Sequence, residues 1–261
     1  MAPALPPPRK RLGQHFLIDP NIVRKIVAAA ALTGQEAVLE IGPGPGILTA
    51  ALLSTAPSVT AVEVDPKLGD YLRETLGHQT NLILRIGDAL EFPYEELAVG
   101  TVVVANLPYY ISTPLLFRLL EARHRIDRLV LMLQTEVARR LVAPPGTKDY
   151  GVLSVLTQHA ADASLAFHVP LACFRPRPEV GSSVVSLVMR RRSADPDAER
   201  RFVRTVRAAF AHRRKTLANS LRDEGFAPDV VARALAQADI LPSRRAETLS
   251  LEEFGALSHH L

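Results

Sequence analysis

The sequence predicts an α/β protein: a Rossmann-like, mostly parallel sheet of seven strands with helices on both faces, followed by a small all-α domain. Three observations carry this reading. Between residues 37 and 134, five short apolar runs alternate with helical patterns, the signature of right-handed strand–helix–strand units. The first run leads into Gly42-Pro43-Gly44-Pro45-Gly46, a loop that lets the backbone approach a ligand. Around residue 192 the composition shifts, and beyond it the apolar residues recur with helical spacing.

At 261 residues and 48% hydrophobic, the chain has enough core for one large domain and a small one. The expected division is 1–193 and 194–261, with residues 1–12 as a mobile basic arm. A single cysteine, Cys173, excludes a disulfide framework, and eight scattered His without a Cys pair offer no metal-ligand spacing. No metal is expected. The start of the chain lacks the apolar stretch of a signal peptide, and no run is long enough to span a bilayer. A cytoplasmic chain with no membrane contact is expected.

Arg9-Lys10-Arg11 closes the Pro-rich arm. Asp19-Pro20 then suits the N-cap and first position of a helix to about residue 32, with Ile22, Val23, Ile26, Val27 and Ala30 on one face. Residues 37–41 form a strand, the glycine loop follows, and a helix over 47–55 offers its free N–H groups. The next strand, 59–64, ends in Glu63, which lies 21 residues past Gly42. An acid there takes both hydroxyls of a ribose. A third strand, 81–86, ends in Gly87-Asp88, where the carboxylate accepts from an adenine amino group. Read alone, that dipeptide is also an ordinary turn.

The fourth strand, 101–105, runs into Asn106-Leu107-Pro108-Tyr109-Tyr110, and Pro108 stops the ladder. This leaves an amide, a bare carbonyl and an aromatic ring at the sheet's carboxyl edge, where ligands bind in open α/β sheets. The group suits methylation of an exocyclic amine. Adenine's amine is a poor nucleophile because its lone pair is delocalised into the ring. Asn106 Oδ1 and the Leu107 carbonyl hold its two hydrogens, and Tyr109 or Tyr110 stacks on the base. The same residues also make a plain strand-to-turn connection with a capping Asn.

Residues 128–134, 165–169 and 183–188 complete the strands. A breaker-rich loop, 143–149, is placed to cover a site, and a helix starts at 150–155. The Pro-stiffened loop 174–180 presents Phe174 as a second stacking wall for a base, or else as a core plug at the sheet edge. From Arg190 to Arg222 there are eleven Arg and Lys against three acids, which points to a polyanion partner or to a solvated face. Phe202, Val203, Val206, Ala209 and Phe210 form an apolar stripe, with Arg204 and Arg207 opposite. Arg213-Arg214-Lys215 opens the next helix, and Pro228 and Ser250 mark later starts.

The glycine loop with its Glu40-Ile41 lead, the Glu63-Val64-Asp65 tip and Asn106-Leu107-Pro108-Tyr109 together resemble the class I adenine N6-methyltransferases that use S-adenosylmethionine. The entry run Gly13–Asp19 and the late run Phe210–Leu221 narrow the resemblance to the KsgA family. That family dimethylates two adjacent adenosines near the 3′ end of small-subunit ribosomal RNA. The resemblance covers residues 11–257. It implies a methyltransferase sheet, S-adenosylmethionine as cofactor, and a pre-30S particle as partner, with a role in its biogenesis. It also implies a monomer. His15 and Leu17 would meet the methionine end of the cofactor, Gly42 and Gly44 would back it, Glu63 would hold its ribose and Asp88 its adenine. Asn106 would sit between sulfonium and target amine, in a pocket completed by Leu107, Pro108, Tyr109 and Phe174. Arg9, Lys10, Arg11, Arg204, Arg207, Arg213, Arg214 and Lys215 would meet RNA. Position 15 is His where many members have Asn; either donates to a carboxylate.

Two related readings stay open at this point: a large-subunit adenine methyltransferase of the antibiotic-resistance type, and an assembly factor whose binding outweighs its catalysis. The late basic run favours the small-subunit enzyme over the first. A dinucleotide-dependent oxidoreductase shares the loop and Glu63, but it has no use for the Asn106 corner, and no hydride-transfer constellation is apparent.

Overall fold

The computed structural model describes residues 3–109, 111–190, 195–212 and 214–261, with Lys10 described only in its backbone. The chain divides into two units: residues 1–138 with 163–190, and residues 139–162 with 191–261.

In the first unit, β1 (Phe16–Leu17) precedes α1 (Pro20–Ala30). Asp19 Oδ1 accepts from the Asn21 N–H at 2.8 Å, and Pro20 presets φ for the first turn. Then come β2 (Ala37–Ile41), α2 (Ile47–Leu53), β3 (Ser58–Glu63), α3 (Pro66–Leu76), β4 (Leu82–Ile86), β5 (Thr101–Asn106), α4 (Ser112–Glu121) and β6 (Ile126–Gln134). Asp65-Pro66 starts α3 as Asp19-Pro20 starts α1, with Asp65 Oδ1 accepting from the Lys67 N–H at 3.1 Å. The link from β4 to β5 is two 3₁₀ turns, not the helix expected between strands, because Pro93 stands between the turns without an N–H to continue one into the next. α5 (Thr135–Leu141) follows, α6 (Val152–Ala160) belongs to the second unit, and the chain then continues through β7 (Ala161–Val169), β8 (Phe174–Arg175) and β9 (Ser182–Met189).

The sheet has seven strands in the order β4-β3-β2-β5-β6-β9-β7. Neighbours from β4 to β6 are parallel, and β9 is antiparallel to β6. Burial follows position. β2, β5 and β6 are nearly continuous apolar runs because helices cover both faces, whereas edge strand β4 alternates between half-buried and exposed residues. A two-residue antiparallel pairing of β1 with β8 was not visible in the sequence; it joins Phe16 to Arg175 and Leu17 to Phe174.

The second unit holds α7 (Pro196–Phe210), α8 (Leu217–Asp223), α9 (Pro228–Gln237) and α10 (Leu251–His260). It also takes in residues 139–162, which the sequence reading placed in the first domain. The cause is packing: the His159 ring stacks on Phe202 at 3.9 Å, and the Tyr150 hydroxyl donates to the Leu249 carbonyl at 2.9 Å. The loop 143–149 goes with them. Within this unit the Gly146 N–H donates to the Glu247 carbonyl at 2.7 Å. On α7 the buried face is Phe202, Thr205, Val206, Ala208 and Ala209, close to the stripe read from spacing. α8 begins at Leu217, capped by Thr216, so Arg214 and Lys215 precede the helix and do not open it.

Candidate active site

The strand order reverses between β2 and β5, which lie side by side with Ile41 opposite Ala105. At their carboxyl ends opens a cavity of about 980 Å³, part of it open to solvent. Gly42 takes φ +70°, and an added Cβ would stand 3.4 Å from the Asn106 carbonyl oxygen. At Gly46, with φ +86°, an added Cβ would fall 2.7 Å from Leu72. The loop therefore runs close to its neighbours only because it is bare.

Every residue assigned to the cofactor lines this cavity: His15, Leu17, Gly42, Gly44, Glu63, Asp88 and Asn106. Glu63 is buried at the tip of β3, where its carboxylate accepts from the Gly44 N–H at 3.2 Å and the Asp65 N–H at 2.9 Å. Burial pushes its pKa up, and these two bonds hold it down. Asp88 is exposed; its Oδ1 accepts from the Leu90 N–H at 2.8 Å, which leaves Oδ2 outside that turn.

Leu107, Pro108 and Tyr109 line the same cavity beside Asn106. The Asn106 amide is oriented by a specific partner: its Nδ2 donates to the His15 carbonyl at 3.4 Å, so Oδ1 is the end left for a ligand. The His15 ring stacks on Tyr109 at 5.8 Å, and His15 Nδ1 bonds the Pro176 carbonyl at 2.8 Å. The far end of Tyr109 is held as well, with its hydroxyl 2.8 Å from Ser182 Oγ. Burial raises the Tyr109 pKa, so the phenol stays protonated at neutral pH. Tyr110, the other ring considered for stacking, lies outside the described residues.

Phe174 is not a wall of this cavity. It is 1% exposed and packs among Leu17, Ile22, Val169 and Val184, where pairing of β8 with β1 carries it into the core. The core-plug alternative is the one observed. The basic residues also divide. Arg11, Arg204, Arg207, Arg214 and Lys215 are exposed. The Arg204 guanidinium sits 4.4 Å over the Phe226 ring, and Lys215 is ion-paired with Asp223. Arg9 turns inward onto Asp65 at 3.0 Å. Arg213 lies outside the described residues, as does the Lys10 side chain.

Sequence reasoning gave no role to Glu40. This carboxylate is 1% exposed and lines the cavity, and its Oε2 has no hydrogen-bond partner among the described residues. Burial, with the Glu63 charge adding, pushes its pKa up to about 8. The signal was present in the sequence: one acid inside an apolar run in a sheet buried on both faces is costly unless it has a use.

A seven-stranded sheet in this order, with a bare loop and an acid at its switch point, defines the Rossmann-like methyltransferases that use S-adenosylmethionine. The residues fit such a cofactor. The orphaned Glu40 oxygen calls for a donor such as an ammonium, and Gly42 and Gly44 line the same cavity as Glu63. The model of the ribosomal RNA adenine dimethylase family matches residues 7–260. The chain is 47% identical to the ribosomal RNA small subunit methyltransferase A of Moorella thermoacetica, over 97% of this chain and 92% of that one. It is 44% identical to the protein of that name from Geobacillus sp. strain WCH70, over 97% and 91%. Among solved structures, a dimethyladenosine transferase from Plasmodium falciparum superposes with a TM-score of 0.81 at 26% identity, covering 93% of this chain and 96% of that one. The 23S rRNA methyltransferase ErmE superposes with a TM-score of 0.74 at 28% identity, covering 94% and 99%. The chain belongs to the ribosomal RNA adenine dimethylase family.

Proposed function

We propose that the chain methylates the exocyclic N6 of two adjacent adenosines near the 3′ end of small-subunit ribosomal RNA, each twice, within a pre-30S particle. The observation that carries the chemistry is the partner of Asn106, a residue that lines the cavity: with Nδ2 on the His15 carbonyl, Oδ1 is left as the acceptor. S-adenosylmethionine, when bound, supplies an electrophilic methyl group on a sulfonium. Glu63 would hold its ribose, Asp88 its adenine, and Glu40, Gly42, His15 and Leu17 its methionine end. Asn106 Oδ1 and the Leu107 carbonyl accept the two amine hydrogens and localise the nitrogen lone pair. Tyr109, fixed at its hydroxyl and backed by His15, keeps the base in plane. Such positioning with preorganised acceptors needs no general base of tuned pKa.

The small subunit is favoured over the large one by the 47% identity to a small-subunit enzyme, against 28% to the 23S enzyme. The exposed cations of the second unit suit an RNA partner. Among the described residues no helix is long and apolar enough to cross a membrane, and action as a monomer in the cytoplasm, with a part in subunit biogenesis, completes the reading. The test is product analysis. Full-length protein, S-adenosylmethionine and undermethylated small ribosomal subunits should yield N6,N6-dimethyladenosine at two adjacent positions, located by mass spectrometry of digested RNA. Methylation of large-subunit RNA only would overturn the proposal.

A further inference from the structure

The Arg9-Lys10-Arg11 arm looks, by charge alone, like a phosphate-binding tail. Arg9 does not fit that picture. Its Nε lies 3.0 Å from Asp65 Oδ2, and the Asp65 side chain is 2% exposed. The Gln14 side chain reaches the same oxygen at 3.4 Å through Nε2, while its Oε1 accepts from the Arg9 N–H at 2.7 Å. Between them the Leu12 N–H donates to the Arg9 carbonyl at 3.1 Å, closing a 3₁₀ turn over Lys10–Leu12. Residues 9–14 are therefore a closed staple whose two ends grip one buried carboxylate oxygen.

That carboxylate stands next to the cofactor site. The Asp65 N–H donates to Glu63 Oε1 at 2.9 Å, and Asp65 Oδ1 caps α3. The far side of the staple, Leu12 to His15, lines the cavity, and His15 supplies the carbonyl that orients Asn106. A buried Asp without its counter-ion is costly, so the staple has one strongly favoured closed state.

We infer that Arg9 is a positioning residue of the cofactor site: its ion pair with Asp65 latches residues 9–15 as a strap across the S-adenosylmethionine cavity and slows cofactor release. The inference rests on the assignment of Glu63 to the cofactor. The closed strap completes a wall that a bound cofactor would touch, so loosening it removes contacts made only in the bound state, and the loss falls mainly on dissociation. Because its acceptor is buried, the pair is screened less by salt than a surface contact is.

Stopped-flow binding of S-adenosylmethionine to the full chain, with steady-state kinetics on undermethylated small subunits, tests this. Arg9→Gln should raise the cofactor off-rate and cofactor KM by about tenfold, the loss of one charge-assisted bond. It should leave kcat and the salt dependence of subunit binding unchanged, and Arg9→Lys should restore most of the loss. Asp65→Asn, which keeps the helix cap, should produce a similar rise, and the double variant should be no worse than either single one. A normal cofactor off-rate in Arg9→Gln with a flatter salt dependence would overturn the inference and return Arg9 to the phosphate-binding surface. Glu63→Ala is the control: if it binds cofactor normally, the site assignment fails and the latch fails with it. If Glu63→Ala binds poorly while Arg9→Gln is normal, the latch alone is rejected.

Discussion

The corner between β2 and β5 and the basic surface of the second unit both carry polar chemistry, but they are built on opposite principles. In the corner Asn106, Glu63 and Tyr109 each have a named partner in a buried or half-buried setting: Asn106 on His15, Glu63 on two backbone N–H groups, Tyr109 on Ser182. On the basic surface the cations are exposed, and where they pair it is with exposed or half-exposed acids, as Lys215 does with Asp223. Buried partners fix orientation, and losing one leaves a desolvated group behind. Exposed cations contribute as a summed field that salt screens. Single substitutions should therefore act sharply in the corner and gradually on the surface.

The largest effect is expected at Asn106. Asn106→Ala removes one preorganised acceptor and should lower kcat by ~10²–10³ while leaving subunit binding nearly unchanged, as single-turnover and filter-binding assays would show. Glu63→Ala comes next. It should weaken cofactor binding by roughly 30- to 150-fold, about 2–3 kcal/mol, in calorimetry of a variant shown to be folded.

Glu40 tests the cost of the corner to the fold itself. Its folded pKa, about 8, lies far above the usual carboxylate range. Below about pH 4 the group is protonated in both folded and unfolded chains and costs nothing. As pH rises toward 8 the unfolded chain ionises and the folded one does not, so stability falls by about 1.4 kcal/mol per pH unit and levels off above 8. Glu40→Gln stays neutral throughout. Its advantage in melting temperature over the parent should be small near pH 5, grow to a few kcal/mol in equivalent stability by pH 8, and then hold. A pH-independent gap would show that Glu40 is not buried as a neutral acid. The smallest effects belong to the surface. Arg214→Gln should flatten the log–log salt slope of subunit binding by roughly 0.7–0.9, the share of one phosphate contact. Lys215→Gln should change it less, because Asp223 already offsets that charge.

The same contrast governs what the sequence discloses. Strand periods, the glycine loop and the acid at each strand tip are local signals, and β2, β5 and the Asp19-Pro20 helix start stand where they were expected. The four groups of the Asn106–Tyr109 corner are contiguous in the chain, so their convergence needed no tertiary knowledge. What stayed hidden depends on distant pairings. Phe174 is in the core because β8 pairs with β1, some 158 residues away, and two-residue strands have no period to read. Residues 139–162 join the second unit through Tyr150 and His159, whose partners Leu249 and Phe202 lie 99 and 43 positions on. Arg9 reads as one of three basic residues until Asp65 is placed beside it. Charge in a sequence shows that a partner is needed but not on which side of the surface it lies.

The claim on which the account turns is that Asn106 Oδ1 and the Leu107 carbonyl share one amine. A monomethylated amine keeps a single hydrogen, so only one of the two acceptors is engaged in the second transfer. The direct test is a time course of mono- and dimethyladenosine, by mass spectrometry of digested small-subunit RNA, for the parent and for Asn106→Ala. The account predicts that the substitution slows the two transfers by different factors, so that the ratio of mono- to dimethylated product changes along with the total. Equal slowing of both transfers, or a parental rate, would contradict it.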